Sequence, residues 1–199
     1  MAVTQTQAST GTAQRILDVA EELVQSRGYN GFSYADIAGE LGLTKASLHY
    51  HFPSKAELGE ALIERYSARF LESLEAIAST TSGADSKLEA YAGLYADVLR
   101  GERMCLCGML AAEYQTLPER MHDSVIRFFD HNLTWLAGVL AQGQANGELS
   151  FDGPPADAAQ TVLSTLQGAM LVARPYRDLT RFQAAADHTL ASLNGTRSS

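Results

Sequence analysis

Between Leu43 and Lys55 the chain reads LTKASLHYHFPSK. The stretch is crowded with hydroxyls, imidazoles and a phenol, and holds little of the apolar content that a core helix needs. Thr44, Ser47, Tyr50 and His51 carry groups that hydrogen-bond phosphate oxygens, and Lys45 has the reach for a guanine edge. Ala46 is small enough for close approach to a thymine methyl. A short helix with these side chains, and an N-terminus free to face a phosphate, suits the DNA major groove. A second group is RMCLCGMLAAEYQTLPERM, which holds both cysteines, Cys105 and Cys107. Arg100 and Arg103 lie just before Cys105, near the expected start of a helix, and both effects favour a thiolate. The other reading is that both cysteines are small buried core residues. C-x-C is a weak metal-ligand spacing, and a site would need His122 or His131 to join it. No metal is expected, and no cofactor.

These groups need elements to hold them. Ile16, Val19, Ala20, Leu23 and Val24 recur at helical spacing and give one apolar stripe on a first helix, which RGYNG breaks with Gly28 as its cap. Ser33 and Asp36 form a capping box, so a short helix is expected over about Tyr34 to Leu41. Gly42 turns the chain, and Thr44 caps a third helix through about His51. Ile37, Ala38, Leu41, Leu43, Leu48 and Phe52 then face inward, while Lys45, Ala46, His49 and Tyr50 face out. Ser54 with Glu57 is a second capping box, opening a long fourth helix to about Ser79.

STTSGADS is the clearest linker. Beyond it the pattern is helical over about 86–101, 104–115, 118–145, 155–174 and 179–193, and only ELSF has a briefly extended character. The fold class is therefore all-α. The expected organisation is a loose arm over 1–11, a small three-helix unit with a helix-turn-helix over 12–53, a connecting helix over 54–79, and a larger helical domain over 80–199.

With 199 residues, 46% hydrophobic, the chain can bury a substantial core. A net charge of −8 argues against a general polyanion binder but allows a local cationic patch. Residues 1–66 hold five Lys and Arg against eight Asp and Glu, a net of −3, so DNA affinity must rest on a few local contacts and helix N-termini. No apolar run approaches the ~18 residues of a spanning helix. The start of the chain lacks the pattern of a signal peptide. A cytoplasmic protein without membrane contact is expected. Motifs for enzymes (G-x-S-x-G, H-E-x-x-H, a phosphate-binding glycine loop) are absent from the sequence, so no catalytic activity is expected.

Residues 12–66 resemble the DNA-binding domain of the TetR family of transcriptional regulators. The resemblance is carried by Gly28-Tyr29, Phe32-Ser33, Asp36-Ile37-Ala38, Leu41-Gly42-Leu43-Thr44-Lys45, Leu48, Tyr50-His51-Phe52 and Ser54-Lys55. It implies a homodimer that binds a palindromic double-stranded DNA operator through 12–53, is released by a small-molecule inducer, and uses 80–199 for ligand binding and dimerisation. The family's operator-contacting positions match Ser33, Thr44, Lys45, Ala46, Ser47, Tyr50, His51 and Lys55. His49, on the same outward face, stands where tyrosine is usual, and Ala46 where glycine is common, so the resemblance implies the binding mode but does not set the operator sequence. The segment around Cys105 is similar to the GCLxGxLAxE stretch of a subgroup, some of whose members respond to electrophiles or oxidants. That gives an alternative reading, a thiol-based sensor using Cys105.

In the C-terminal half, Tyr91, Tyr95, Met104, Cys105, Phe128, His131, Trp135 and Met170 are the candidate ligand-binding residues, with Met109 and Tyr176 as further apolar material. Arg127, Asp130, His131 and Glu113 are the few polar groups available to orient a ligand. The resemblance implies that the helices over about 156–174 and 179–193 form the dimer interface; the small residues of ADAAQTVLSTLQGAMLVA allow close packing but serve ordinary packing within one chain equally well.

Overall fold

The computed structural model describes the backbone of residues 2–194 and the side chains of residues 11–194. Every regular element among them is helical. The chain divides into two compact units, Met1–Ser67 with Leu106–Ile126, and Ala68–Cys105 with Arg127–Ser199.

The first unit opens with α1, Ala2–Arg27. This helix begins inside the segment expected as an arm, whose side chains before Gly11 lie outside the described part. Its stripe is buried at Ile16, Ala20 and Val24. Gly28 ends it in the left-handed region, φ 83°, and donates its N–H to the Val24 carbonyl at 2.9 Å. Helix α2 spans Tyr34–Leu41 and α3 spans Lys45–His51, joined through Gly42 at φ 64°. Both match the sequence expectation because their ends are set by local chemistry. Ser33 caps α2, Thr44 caps α3, and only glycine turns left-handed between them without strain. Helix α4, Lys55–Thr80, starts on the expected Ser54–Glu57 box, with reciprocal bonds of 3.2 and 3.3 Å. Arg65 of α4 reaches α1, bonding Asp18 at 2.6 Å and the buried Glu21 at 2.7 Å. Paired in this way, the Glu21 carboxylate is tolerated where an isolated charge would not be.

Helix α5 is Ala84–Arg100. It ends at a Gly101–Glu102 turn in which Glu102 has φ 55° and Arg103 N–H returns to the Val98 carbonyl. Residues 103–105 are then non-helical, and α6 runs over Leu106–Ala112. A helix starting at 104 was expected. The turn delays it, so Cys105 precedes the helix and Cys107 lies in it. A 3-10 turn, Tyr114–Thr116, leads to α7, Glu119–Ala145. The start of α7, with α6, belongs to the first unit; its continuation from Arg127 belongs to the second. Helices α8, Pro155–Ala173, and α9, Leu179–Ser192, complete the second unit. They pack on each other and on α5 through buried Val162, Leu166, Met170, Phe182 and Ala186. No strand occurs at ELSF among the described residues; Gly147 and Gly153, both at positive φ, turn the chain on either side. No helix is long and apolar enough to cross a membrane among the described residues.

Candidate functional site

Helix α3 owes its presentation to one buried residue and one cap. Leu48 is fully buried and holds the helix down. Thr44, in extended backbone, accepts the Ser47 N–H at 3.1 Å and so closes the first turn. Lys45, Ala46, His49 and Tyr50 are exposed, Tyr50 by 80%, while Ser47 and His51 are half-buried. A large aromatic left out in water on a helix whose other face is packed is the type of residue that awaits a partner.

Ser33 sits at the N-terminus of α2, beside this face. Its hydroxyl accepts the Ala35 N–H at 3.2 Å, and its own N–H donates to the Asp36 carboxylate at 2.7 Å. The Ser33 hydroxyl also donates to the Asp36 carboxylate at 2.7 Å, and this bond with the backbone one holds the Asp36 carboxyl below the usual range. His49 is braced rather than loose. Its ring lies 4.8 Å from that of Tyr34, and Nδ1 is 3.1 Å from the Pro53 carbonyl. A carbonyl only accepts, so Nδ1 carries the hydrogen and the Nε2 edge is left for another partner. Tyr34 in turn donates its hydroxyl to the Phe52 carbonyl at 2.7 Å. Burial pushes its phenol up to about 12, with Tyr29 and Glu57 adding to the shift. Phe32, Ser33, Tyr34, Ala35, Lys45, His49 and Lys55 line one open cleft of about 360 Å³. The structure thus gathers Ser33, Lys45, His49 and Lys55, contributed by three helices, at one place.

Lys55 differs from its neighbours. Its ammonium donates to the carbonyls of Tyr29 and Phe32 at 2.6 and 2.5 Å, and lies over both rings, 4.6 and 4.2 Å from their centroids. Burial lowers its pKa, while the Glu113 and Asp36 carboxylates pull it up. Glu113 completes this turn from the other side. Its carboxylate accepts the Tyr29 N–H at 2.5 Å and the Asn30 N–H at 3.2 Å. The sequence placed Glu113 among groups that orient a ligand; the structure gives it to the backbone of the first unit instead.

The second unit holds an aromatic cluster, buried at Tyr91, Tyr95 and Phe128 and half-buried at Phe70 and Trp135. Tyr91, Tyr95, Phe128 and Trp135 come together around Phe70, with Tyr91 stacked on Trp135 at 5.5 Å and Phe70 edge-on to Tyr91, Tyr95 and Phe128. The Tyr91 hydroxyl lies 2.9 Å from that of Tyr95 and donates to the Asn132 Oδ1 at 2.8 Å, and Asn132 donates from Nδ2 to the Phe128 carbonyl. Burial drives the Tyr91 phenol well up; the Tyr95 hydrogen bond opposes this and Cys105 adds to it. Met104, Cys105 and Met170 are buried as well. His131 is exposed, as are Arg127 and Asp130. The polar group at the centre is Asn132, which the sequence reading passed over. Its signal was spacing: Phe128, Asn132 and Trp135 fall on one face of α7. Cys105 and Cys107 are both buried, and neither is in a disulfide. No group of three His, Cys, Asp or Glu side chains arranged to hold a metal occurs among the described residues.

Comparison with known proteins decides the family. The family described as "Bacterial regulatory proteins, tetR family" matches residues 16–62, and "Tetracyclin repressor-like, C-terminal domain" matches residues 84–189, more than half of the chain. The chain belongs to the TetR family. Its fold is similar to that of a TetR-family transcriptional regulator from Agrobacterium tumefaciens, with a TM-score of 0.91, 33% identity, and coverage of 94% of this chain and 100% of that one. The reduced form of Escherichia coli NemR is similar too, with a TM-score of 0.81, 25% identity, and coverage of 94% and 100%. Among family members of known function, the transcriptional repressor DhaR of a Mycobacterium strain is 25% identical over 82% of this chain and 83% of its own length. The first unit's helix-turn-helix is accordingly the family's DNA-binding element, and the chain is a transcriptional regulator.

Proposed function

We propose that the chain is a ligand-responsive repressor that acts as a homodimer on a palindromic operator. The observation that carries this reading is α3: Leu48 buried at 0% exposure, with Lys45, Ala46, His49 and Tyr50 turned outward beside the Ser33 end of α2. Each protomer sets α3 in the major groove. Thr44, Ser47, Tyr50 and His51 take phosphate oxygens, and Lys45 and His49 meet base edges. Lys55 contributes by fixing the turn beneath this surface and by its charge at the cleft. Two protomers read two half-sites about one helical turn apart. The repressor names of the relatives DhaR and NemR support the direction of control.

The inducer enters the second unit near Tyr91, Tyr95, Phe128, Trp135 and Asn132, with Met104, Cys105 and Met170 beside them. Its class is small and largely aromatic or apolar, with one polar group to exchange for a bond of the Tyr91–Asn132 network. Binding favours a state whose two recognition helices no longer match the operator spacing, and α4 is the continuous element that carries the shift. The test is a mobility shift of the full-length protein on its own upstream DNA, with Lys45→Ala beside it. Retarded DNA, weakened in the variant with discrimination relaxed at the base pair that Lys45 meets in each half-site, supports the reading. No retardation of any upstream fragment overturns it.

A second reading is favoured by the likeness to NemR, solved in a reduced form, and by Cys105 lying close enough to Tyr91 to affect its ionisation. Here a thiol-reactive compound acts on Cys105 in place of a reversible ligand. Cys105→Ser should then bind DNA normally and ignore the oxidant or electrophile. A normal response in that variant removes the thiol reading.

A further inference from the structure

We infer that Glu113 is a positioning residue for operator recognition: it clamps the turn between α1 and α2, and through that turn sets where α3 stands. The inference rests on the DNA-binding reading above. The turn runs from Gly28 to Phe32 and has no regular structure of its own to hold it. It is gripped on both edges. Glu113 takes the N–H groups of Tyr29 and Asn30, while Lys55 takes the carbonyls of Tyr29 and Phe32. The grip is extended at the surface, where the Asn30 side-chain amide donates to the Thr116 hydroxyl at 2.8 Å.

Gly28 is shaped for this carboxylate. A Cβ at position 28 would stand 2.9 Å from Glu113 Oε1 and 3.0 Å from Oε2, besides being strained at φ 83°. Only glycine therefore lets the carboxylate lie against the backbone. Hydrogen bonds to an ionised acceptor are about twice as strong as neutral ones, and the half-buried setting preserves them against water. Directly after the turn, Ser33 begins α2, and Tyr34 of α2 touches α3 twice, through the His49 ring and the Phe52 carbonyl. A path of packed and bonded groups thus runs from Glu113 to the exposed face of α3. Glu113 itself never touches DNA in this scheme.

Two variants of the full-length protein test this, Glu113→Gln and Thr116→Val, each measured for operator affinity well below its melting temperature and for the backbone amide resonances of Tyr29 and Asn30. Loss of the charged acceptor should move the Tyr29 amide upfield and weaken operator binding by about tenfold, the worth of one charge-assisted bond. Thr116→Val removes the exposed Asn30 bond, together with the Thr116 hydroxyl's own bond to the Glu113 backbone carbonyl at 2.9 Å, and leaves the Glu113 carboxylate in place; it should weaken binding by about two- to threefold. Operator affinity unchanged in both variants overturns the inference. So does weakened binding with the Tyr29 and Asn30 amides unmoved, because the effect would not then run through the turn. If Glu113→Gln does not fold, Thr116→Val decides alone, and unchanged affinity there is likewise fatal. Wild-type protein that binds no DNA sinks the underlying repressor reading, whereas wild-type binding matched by both variants sinks the clamp alone.

Discussion

The two units solve the problem of holding a functional surface in opposite ways. In the first, short helices carry the candidate DNA contacts, and side chain to backbone bonds fix them: Ser33 and Asp36 at α2, Thr44 at α3, Ser54 and Glu57 at α4, Lys55 and Glu113 on the turn. In the second, five rings from three helices pack around one buried polar network, Tyr91, Tyr95 and Asn132. Directional bonds to the backbone set orientation at modest energetic worth. Ring packing supplies more stability but less direction. The first arrangement suits a surface that has to match an operator, and the second suits a core proposed to take up a ligand.

Four substitutions break or sharpen this contrast. Phe128→Ala, in the ring cluster, should cost about 3–5 kcal/mol in urea unfolding, the largest single loss among the four. Tyr91→Phe keeps the ring but strips two buried bonds, leaving the Asn132 carbonyl oxygen without its donor; a cost of about 1–3 kcal/mol is expected. That variant should also respond differently to inducer, which titration against operator release would reveal. Thr44→Ala should cost only about 1 kcal/mol of stability while weakening operator binding disproportionately, because the lost cap frays the helix that reads DNA. An affinity loss no greater than the stability loss explains would show that the caps do not orient the surface.

The smallest effect belongs to Asp36→Asn and depends on pH. The Asp36 pKa is lowered in the folded chain, so its stabilising contribution is fully present above the ordinary value of 3.8 and is lost as pH falls through the lower folded value. At pH 7 the variant should melt slightly below wild type, and the gap should close only in that acidic window. A gap that persists at still lower pH would mean that the carboxylate charge is not what matters.

How much of this was legible in the sequence follows the same division. The bounds of α2 and α3 came out residue for residue, because their caps lie within three positions of what they cap. The outward set on α3 was legible for the same reason, since one buried Leu48 fixes the face. What was missed is separated in the chain. Asn30 and Glu113 are 83 residues apart, and no local pattern announces that a carboxylate will lie on a distant turn. Lys55 was expected among the operator contacts; that its ammonium turns back onto Tyr29 and Phe32 emerges only in three dimensions. Asn132 was hidden by its type: a lone amide on a long helix reads as surface until the rings around it are placed. The late start of α6, and with it the position of Cys105, was set by the left-handed Glu102, a conformation that a glutamate does not advertise.

The grouping of Leu106–Ile126 with Met1–Ser67 has a consequence for biosynthesis. A nascent chain that has emerged only as far as Thr80 carries every candidate DNA contact yet lacks Glu113, Thr116 and the wall supplied by α6 and the start of α7. The first unit therefore closes only after the intervening α5 has left the ribosome, and its completion is a long-range event rather than a local one. For the same reason, splicing this chain to a foreign effector region at the STTSGADS linker would cut through a single folding unit. Grafts that carry residues 106–126 along with the N-terminal segment would keep that unit whole.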